Sequence, residues 1–274
     1  MNIYPKTCRN FEGINNLMPF IKKYGGVELQ FFKEGDILSP FEFVSRVEAL
    51  VKLVPQIKEV TIHPPLTHYD IEHLFAKDIT IFQNQLIDMV ELSKKYNIKV
   101  NMVYHTIVDI EYHKALTIDK LKKALKILEG SNVTIVLENI YMFMEKKCTV
   151  YEICELIDHP NLRACMDITH LHCRANIYKM NIWECAKNYL NKDLCKKYTY
   201  QVHFAYAAND DGYIDKKTHG VVHDNVDVLK EDLELLKEYG MYECNYITEV
   251  AEEDYSTRID QVREIEMLEE ATNQ

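Results

Sequence analysis

The strongest constraint on the fold is an alternation of short strand-like runs with longer segments of helical period, sustained from one end of the 274-residue chain to the other. Runs rich in aliphatic, aromatic and β-branched residues fall at 2–6 (NIYPK), 26–32 (GVELQFF), 59–64, 99–105, 133–139, 162–168, 198–206 and 245–251. Amphipathic segments follow them at 14–25, 41–54, 78–96, 117–130, 149–159, around 181–190, and at 226–240 and 256–271. Several start on Ser, Thr or Asp and stop at Gly, Asn or Pro, as helix capping requires. Eight strands each followed by a helix predict an α/β fold, a (β/α)8 TIM barrel, as a single domain over residues 1–274. A doubly wound open sheet would need a Gly-rich phosphate turn after its first strand, and NIYPKTCRN has none.

Composition agrees. With 47% hydrophobic residues and only 8 Gly and 7 Pro, the chain can bury a full-sized core and shows no linker. The opening MNIYPKTCRNFEG lacks the features of a secretory signal, and no apolar run reaches membrane-spanning length, so a cytoplasmic location without membrane partners is expected. The eight cysteines are scattered without C-x-x-C spacing, which predicts reduced, mostly buried thiols. A formal charge of −11 offers no broad basic footprint for nucleic acid. Oligomeric state is not readable.

In a barrel the C-terminal ends of the strands share one mouth, where chemistry sits. Strand three ends on His63, strand four on His105, strand five on Glu138 and Asn139, strand six on Asp167 with His170 after it, strand seven on His203 and strand eight on Glu249. A single such residue is ordinarily a cap or a satisfied core group. Six strands delivering imidazoles and carboxylates to one rim would repel and desolvate one another at high cost unless cations compensate them. Carboxylates and imidazoles without cysteine suit Zn²⁺, Mn²⁺, Fe²⁺ or Co²⁺. Glu138, Asp167, His203 and Glu249 form a complete set for one ion, and His63 and His105 are candidates for a second, with Glu138 bridging. The loop after strand seven, AANDDGYIDKKTHGVVHDN, adds Asp210, Asp211, Asp215, Lys216, Lys217, His219 and His223, and is long enough to cover the mouth. His219 with His170 is a candidate pair for a further ion or for substrate. Tyr104, Tyr141 and Tyr206 are candidates for a sugar-stacking rim, and His172 finds no role.

This ordered set of residues on an eight-stranded barrel resembles the xylose isomerase-like superfamily, which includes endonuclease IV and many sugar isomerases and epimerases. The resemblance covers most of the chain. For the epimerase branch it implies one ion held by Glu138, Asp167, His203 and Glu249, with His170 contacting substrate. For the endonuclease IV branch it implies two or three ions, with His63 and His105 as added ligands. At the Asp-x-His position of that branch this chain reads Lys217-Thr218-His219, and its Gly-rich turn after the strand-five Glu is replaced by IYMFM. The epimerases' second Glu and Arg are replaced by Met144 and Asn209 in the corresponding neighbourhoods.

Three functions follow as expectations. The favoured one is a divalent-metal-dependent isomerase or epimerase of a small sugar or related hydroxy-carbonyl compound, using Zn or Mn. Glu138, Glu249 and His170 would be its catalytic residues, and His170, His219, Asn139 and Lys217 its substrate contacts. The second is an endonuclease IV-like phosphodiesterase or phosphatase, and the third a non-catalytic metal- or ligand-binding barrel.

Overall fold

Ten strands and ten helices succeed one another along the residues that the computed structural model describes, namely 1–31, 40–64, 79–105, 111–140, 149–207 and 219–273. The strands are β1 (Asn2–Cys8), β2 (Gly26–Gln30), β3 (Glu59–His63), β4 (Lys99–His105), β5 (Val133–Glu138), β6 (Leu162–Asp167), β7 (Thr199–Phe204), β8 (Tyr206–Ala207), β9 (His219–Val221) and β10 (Asn245–Thr248). The helices are α1 (Ile14–Tyr24), α2 (Pro40–Leu53), α3 (Ile79–Tyr96), α4 (Glu111–Leu128), α5 (Thr149–Ile157), α6 (Ile168–Ile177), α7 (Ile182–Tyr189), α8 (Lys192–Tyr198), α9 (Val226–Glu238) and α10 (Ile259–Asn273). Eight strands close a parallel barrel in the order β1-β10-β7-β6-β5-β4-β3-β2, while β8 and β9 pair antiparallel beside it. All eight barrel strands lie where the sequence pattern puts them.

The helical reading departs from the structure at three places. Helix α4 begins at Glu111, earlier than the expected 117. Helix α6 was not expected at all, because seven of its ten residues are buried and no polar face marks its period. Helix α8 is short and follows an Asn191 cap whose side chain accepts from the amides of Asp193 and Leu194, directly ahead of β7. Strand seven also stops sooner than expected, with Tyr206 belonging to β8.

Most of the core lies between the strands' outer faces and the helices, where Leu17, Leu50, Leu86, Leu121, Ile153 and Leu236 are fully buried. Tyr104 belongs to this layer, its ring edge-on to Phe82 with centroids 5.3 Å apart, so it packs rather than lining a mouth. Tyr141 lies outside the described residues. The barrel interior is layered by side-chain alternation. At the floor, Glu59 accepts from Tyr200 Oη at 2.6 Å, Asn101 Nδ2 at 2.7 Å and Tyr4 Oη at 3.4 Å. Above it Val103, Val136 and Cys165 make a small apolar layer on Tyr200. Each stands two residues before His105, Glu138 or Asp167, so those three side chains point up the same interior toward the mouth. Each of the seven described cysteines is free. No helix among the described residues is long and apolar enough to cross a membrane.

Candidate metal centre

His63, His105, Glu138 and Asp167 are the last residues of β3, β4, β5 and β6, His203 is the last but one of β7, and Glu249 follows β10 directly. Register aligns His105 with Glu138 and Asp167 with His203 across neighbouring strands. None of the six is more than 8% exposed, so water cannot screen their charges.

Donor atoms of His63, Glu138, His203 and Glu249 lie within 4.8 Å of one another, and those of His105, Glu138 and His170 form a second such group. Glu138 stands at the centre. Its Oε2 is 3.2 Å from His63 Nε2 and 3.3 Å from His203 Nδ1, and its Oε1 is 3.3 Å from His105 Nε2 and 3.6 Å from His170 Nε2. His203 Nδ1 is also 2.6 Å from Glu249 Oε2, yet neither atom has a hydrogen-bond partner, because the contact lacks hydrogen-bond geometry. Two buried donor atoms aimed past one another beside a third carboxylate are what a cation site requires. The side chains present therefore fit a divalent ion.

Without an ion, the imidazoles carry the compensating charge. Burial alone would raise the Glu138 pKa, but the facing His105 and His203 hold it well below the usual carboxylate range. Burial lowers the His63 pKa, and its bond to Glu138 more than reverses this, to about 9. His170 is likewise raised against burial by Asp167 and then Glu138.

Asp167 stands apart from the four-donor group, where His63 takes the fourth place. Its Oδ1 accepts the His170 amide at 3.1 Å as the N-cap of α6, and its Oδ2 lies 3.2 Å from His170 Nε2. Asn139, expected at the substrate, has both ends of its amide on the Asp167 backbone, Nδ2 to the carbonyl at 3.1 Å and Oδ1 to the amide at 2.7 Å. It ties the end of β5 to the end of β6. Lys217, with Asp210, Asp211, Asp215 and Lys216, lies outside the described residues. The backbone of His219 opens β9, and its side chain also lies outside them.

The model of the xylose isomerase-like TIM barrel matches residues 21–270. The chain belongs to this family. No curated protein matches it by sequence. Among solved members of the fold, a D-tagatose 3-epimerase-like protein shares 19% identity at a TM-score of 0.60, covering 98% of this chain and 97% of that one. The IolI protein with a bound zinc atom shares 16% at 0.66, covering 98% and 96%. The 3-keto-D-glucoside 4-epimerase YcjR from E. coli shares 15% at 0.60, with all of both chains covered. At these identities the likeness is one of fold.

Two residues of this family member's mouth escaped the sequence reading. Lys6 on β1 places Nζ 3.1 Å from Glu249 Oε1, and Glu28 on β2 places Oε2 3.0 Å from His203 Nε2. Their signal was available: a lysine in NIYPKTC and a glutamate in GVELQ interrupt strands that are otherwise buried. His172, without a role from sequence, bonds Asp232 on α9 at 2.8 Å, away from the mouth cluster.

Proposed function

We infer that this barrel is a divalent-metal-dependent isomerase or epimerase of a small sugar or related hydroxy-carbonyl compound. The observation that carries the reading is the convergence of His63, Glu138, His203 and Glu249 on one buried point at the mouth. A Zn²⁺ or Mn²⁺ bound there supplies Lewis-acid stabilisation of the charge that develops when a proton leaves the carbon next to a carbonyl, worth several kcal/mol. The protein's own part is proton handling and positioning. Glu138 and Glu249 flank His203 Nδ1, and the pair supplies a proton acceptor and a donor for transfer between the faces of one carbon. His170, held by the Asp167 cap, offers Nε2 to a substrate oxygen. Burial of the cluster excludes bulk water while substrate is bound, and the two carboxylates exchange their protons with solvent between turnovers. The sugar epimerases of the same fold, D-tagatose 3-epimerase-like protein and YcjR among them, support this substrate class.

Protein purified without chelator, analysed for metals, should carry close to one ion per chain. Two or three would favour phosphoester hydrolysis, and none would remove the basis of the proposal. That second reading has one observation of its own: each carboxylate oxygen of Glu138 faces two imidazoles, the arrangement of a carboxylate bridging two ions.

A further inference from the structure

Strands β3 to β7 and the end of β10 supply the candidate ligands, and the two remaining barrel strands, β1 and β2, each aim one charged side chain at a ligand. We propose that Glu28 is a positioning residue that fixes which nitrogen His203 turns to the cation; the inference rests on the reading of the mouth as a metal centre.

Glu28 and His203 are both fully buried, and Oε2 of the one meets Nε2 of the other at 3.0 Å in hydrogen-bond geometry. In this contact the carboxylate oxygen accepts, so Nε2 is the nitrogen that donates. The side-chain amide of Gln201 places its nitrogen 3.1 Å from the same Nε2 while its oxygen accepts from Thr61 Oγ1 at 3.4 Å; exchanging the two amide ends keeps the shape and gives a protonated Nε2 an oxygen to face. Nδ1 is then the nitrogen left to meet a cation, a second proton in the ion-free protein and a metal ion in the loaded one.

The surroundings of Nδ1 are those of a cation site. It has no hydrogen-bond partner and faces two carboxylates, Glu249 Oε2 at 2.6 Å and Glu138 Oε2 at 3.3 Å. Two buried carboxylates converging on Nδ1 require positive charge at that point, which a metal ion supplies in place of the proton. Lys6 completes the pattern on the neighbouring strand, where it is the register partner of Glu28. Its ammonium holds Oε1 of Glu249 and leaves Oε2, which has no hydrogen-bond partner, turned to the same point as Nδ1. A His–Glu pair that served packing alone would have no reason to strand both of these atoms. Metal-bound histidines characteristically donate their other ring N–H to a carboxylate, which fixes the ring and raises its basicity.

Two measurements test this. In protein labelled with ¹⁵N-histidine and loaded with Zn²⁺, long-range ¹⁵N–¹H correlations should show His203 protonated at Nε2 and metal-shifted at Nδ1. The reverse assignment overturns the proposal, and this spectrum needs no variant. For Glu28→Gln, Zn²⁺ affinity by competition with a chromogenic chelator should fall roughly 10–100-fold, while the metal-free variant melts like the metal-free wild type. Affinity within twofold of wild type overturns the role of Glu28 and leaves the metal centre standing. A wild-type protein that takes up no Zn²⁺ overturns both.

Discussion

Gly220 shows how closely the mouth is built around individual residues. It sits in β9 at φ +75°, and a Cβ there would stand 2.6 Å from the carbonyl oxygen of Glu249, while Ala251, two residues further on, donates its amide to the Gly220 carbonyl at 2.7 Å. Gly220→Ala meets both a left-handed backbone and a backbone clash. The expected cost is more than about 1 kcal/mol, read as a thermal midpoint lowered by several degrees, with weaker Zn²⁺ binding because Glu249 is displaced. An unchanged midpoint and affinity would contradict the described contact. Residues at this scale were legible where chemistry and position coincide. His63, His105, Glu138, His203 and Glu249 are the polar terminations of apolar runs, and periodicity exposes them. Glu28 and Lys6 sit inside their strands, where one charged residue reads as a break in the pattern rather than as a partner for a side chain three strands away or across a 243-residue separation. The capping of α6 by Asp167 was not legible either, since the periodicity does not show that helix.

At the scale of elements, α6, α9, α10 and the end of the β8–β9 hairpin are joined by a buried chain of alternating imidazoles and carboxylates. His172 Nε2 meets Asp232, Asp232 Oδ2 meets His223 Nε2 at 3.1 Å, and His223 Nδ1 meets Glu264 Oε1 at 2.5 Å. Both ring nitrogens of His223 face carboxylates, so both donate and the ring is an imidazolium. Asp232 and Glu264 are the charged groups against it, with the rings of Phe204 and Tyr206 on its faces. Burial would lower its pKa, but the bonds to Asp232 and Glu264 raise it from 6.5 to about 9. A raised folded-state pKa stabilises the fold fully below 6.5, and the gain is lost as pH rises through about 9. Thermal midpoints of the wild type should therefore fall between pH 7 and 10 by more than those of His223→Gln. Parallel pH curves for the two proteins would contradict an ionised His223. The hairpin end that this chain secures follows directly on Gly220, so its loosening should reach Glu249.

Across the whole molecule, the barrel separates stability from chemistry by end. The floor gathers neutral donors around one acid, Glu59, while the mouth concentrates Glu28, Glu138, Asp167 and Glu249 against Lys6 and four histidines. The eight-fold alternation made this architecture legible, because strands buried on both faces and followed by amphipathic helices form either a barrel or a doubly wound sheet, and no Gly-rich turn after β1 serves the second. What remained hidden were elements without contrast, α6 buried on most sides and α8 only two turns long. The function inferred for the mouth is proton transfer at a carbon beside a carbonyl, and the most direct measurement is solvent exchange. Protein loaded with Zn²⁺ or Mn²⁺ is incubated in D₂O with a panel of ketoses and keto-glycosides and followed by ¹H NMR. Deuterium should appear at the carbon next to the carbonyl of at least one compound, and Glu138→Gln should slow that exchange by roughly 10²–10⁴-fold. Metal-loaded wild type that exchanges no carbon-bound proton across the panel, yet cleaves a phosphodiester such as bis-p-nitrophenyl phosphate, would contradict it.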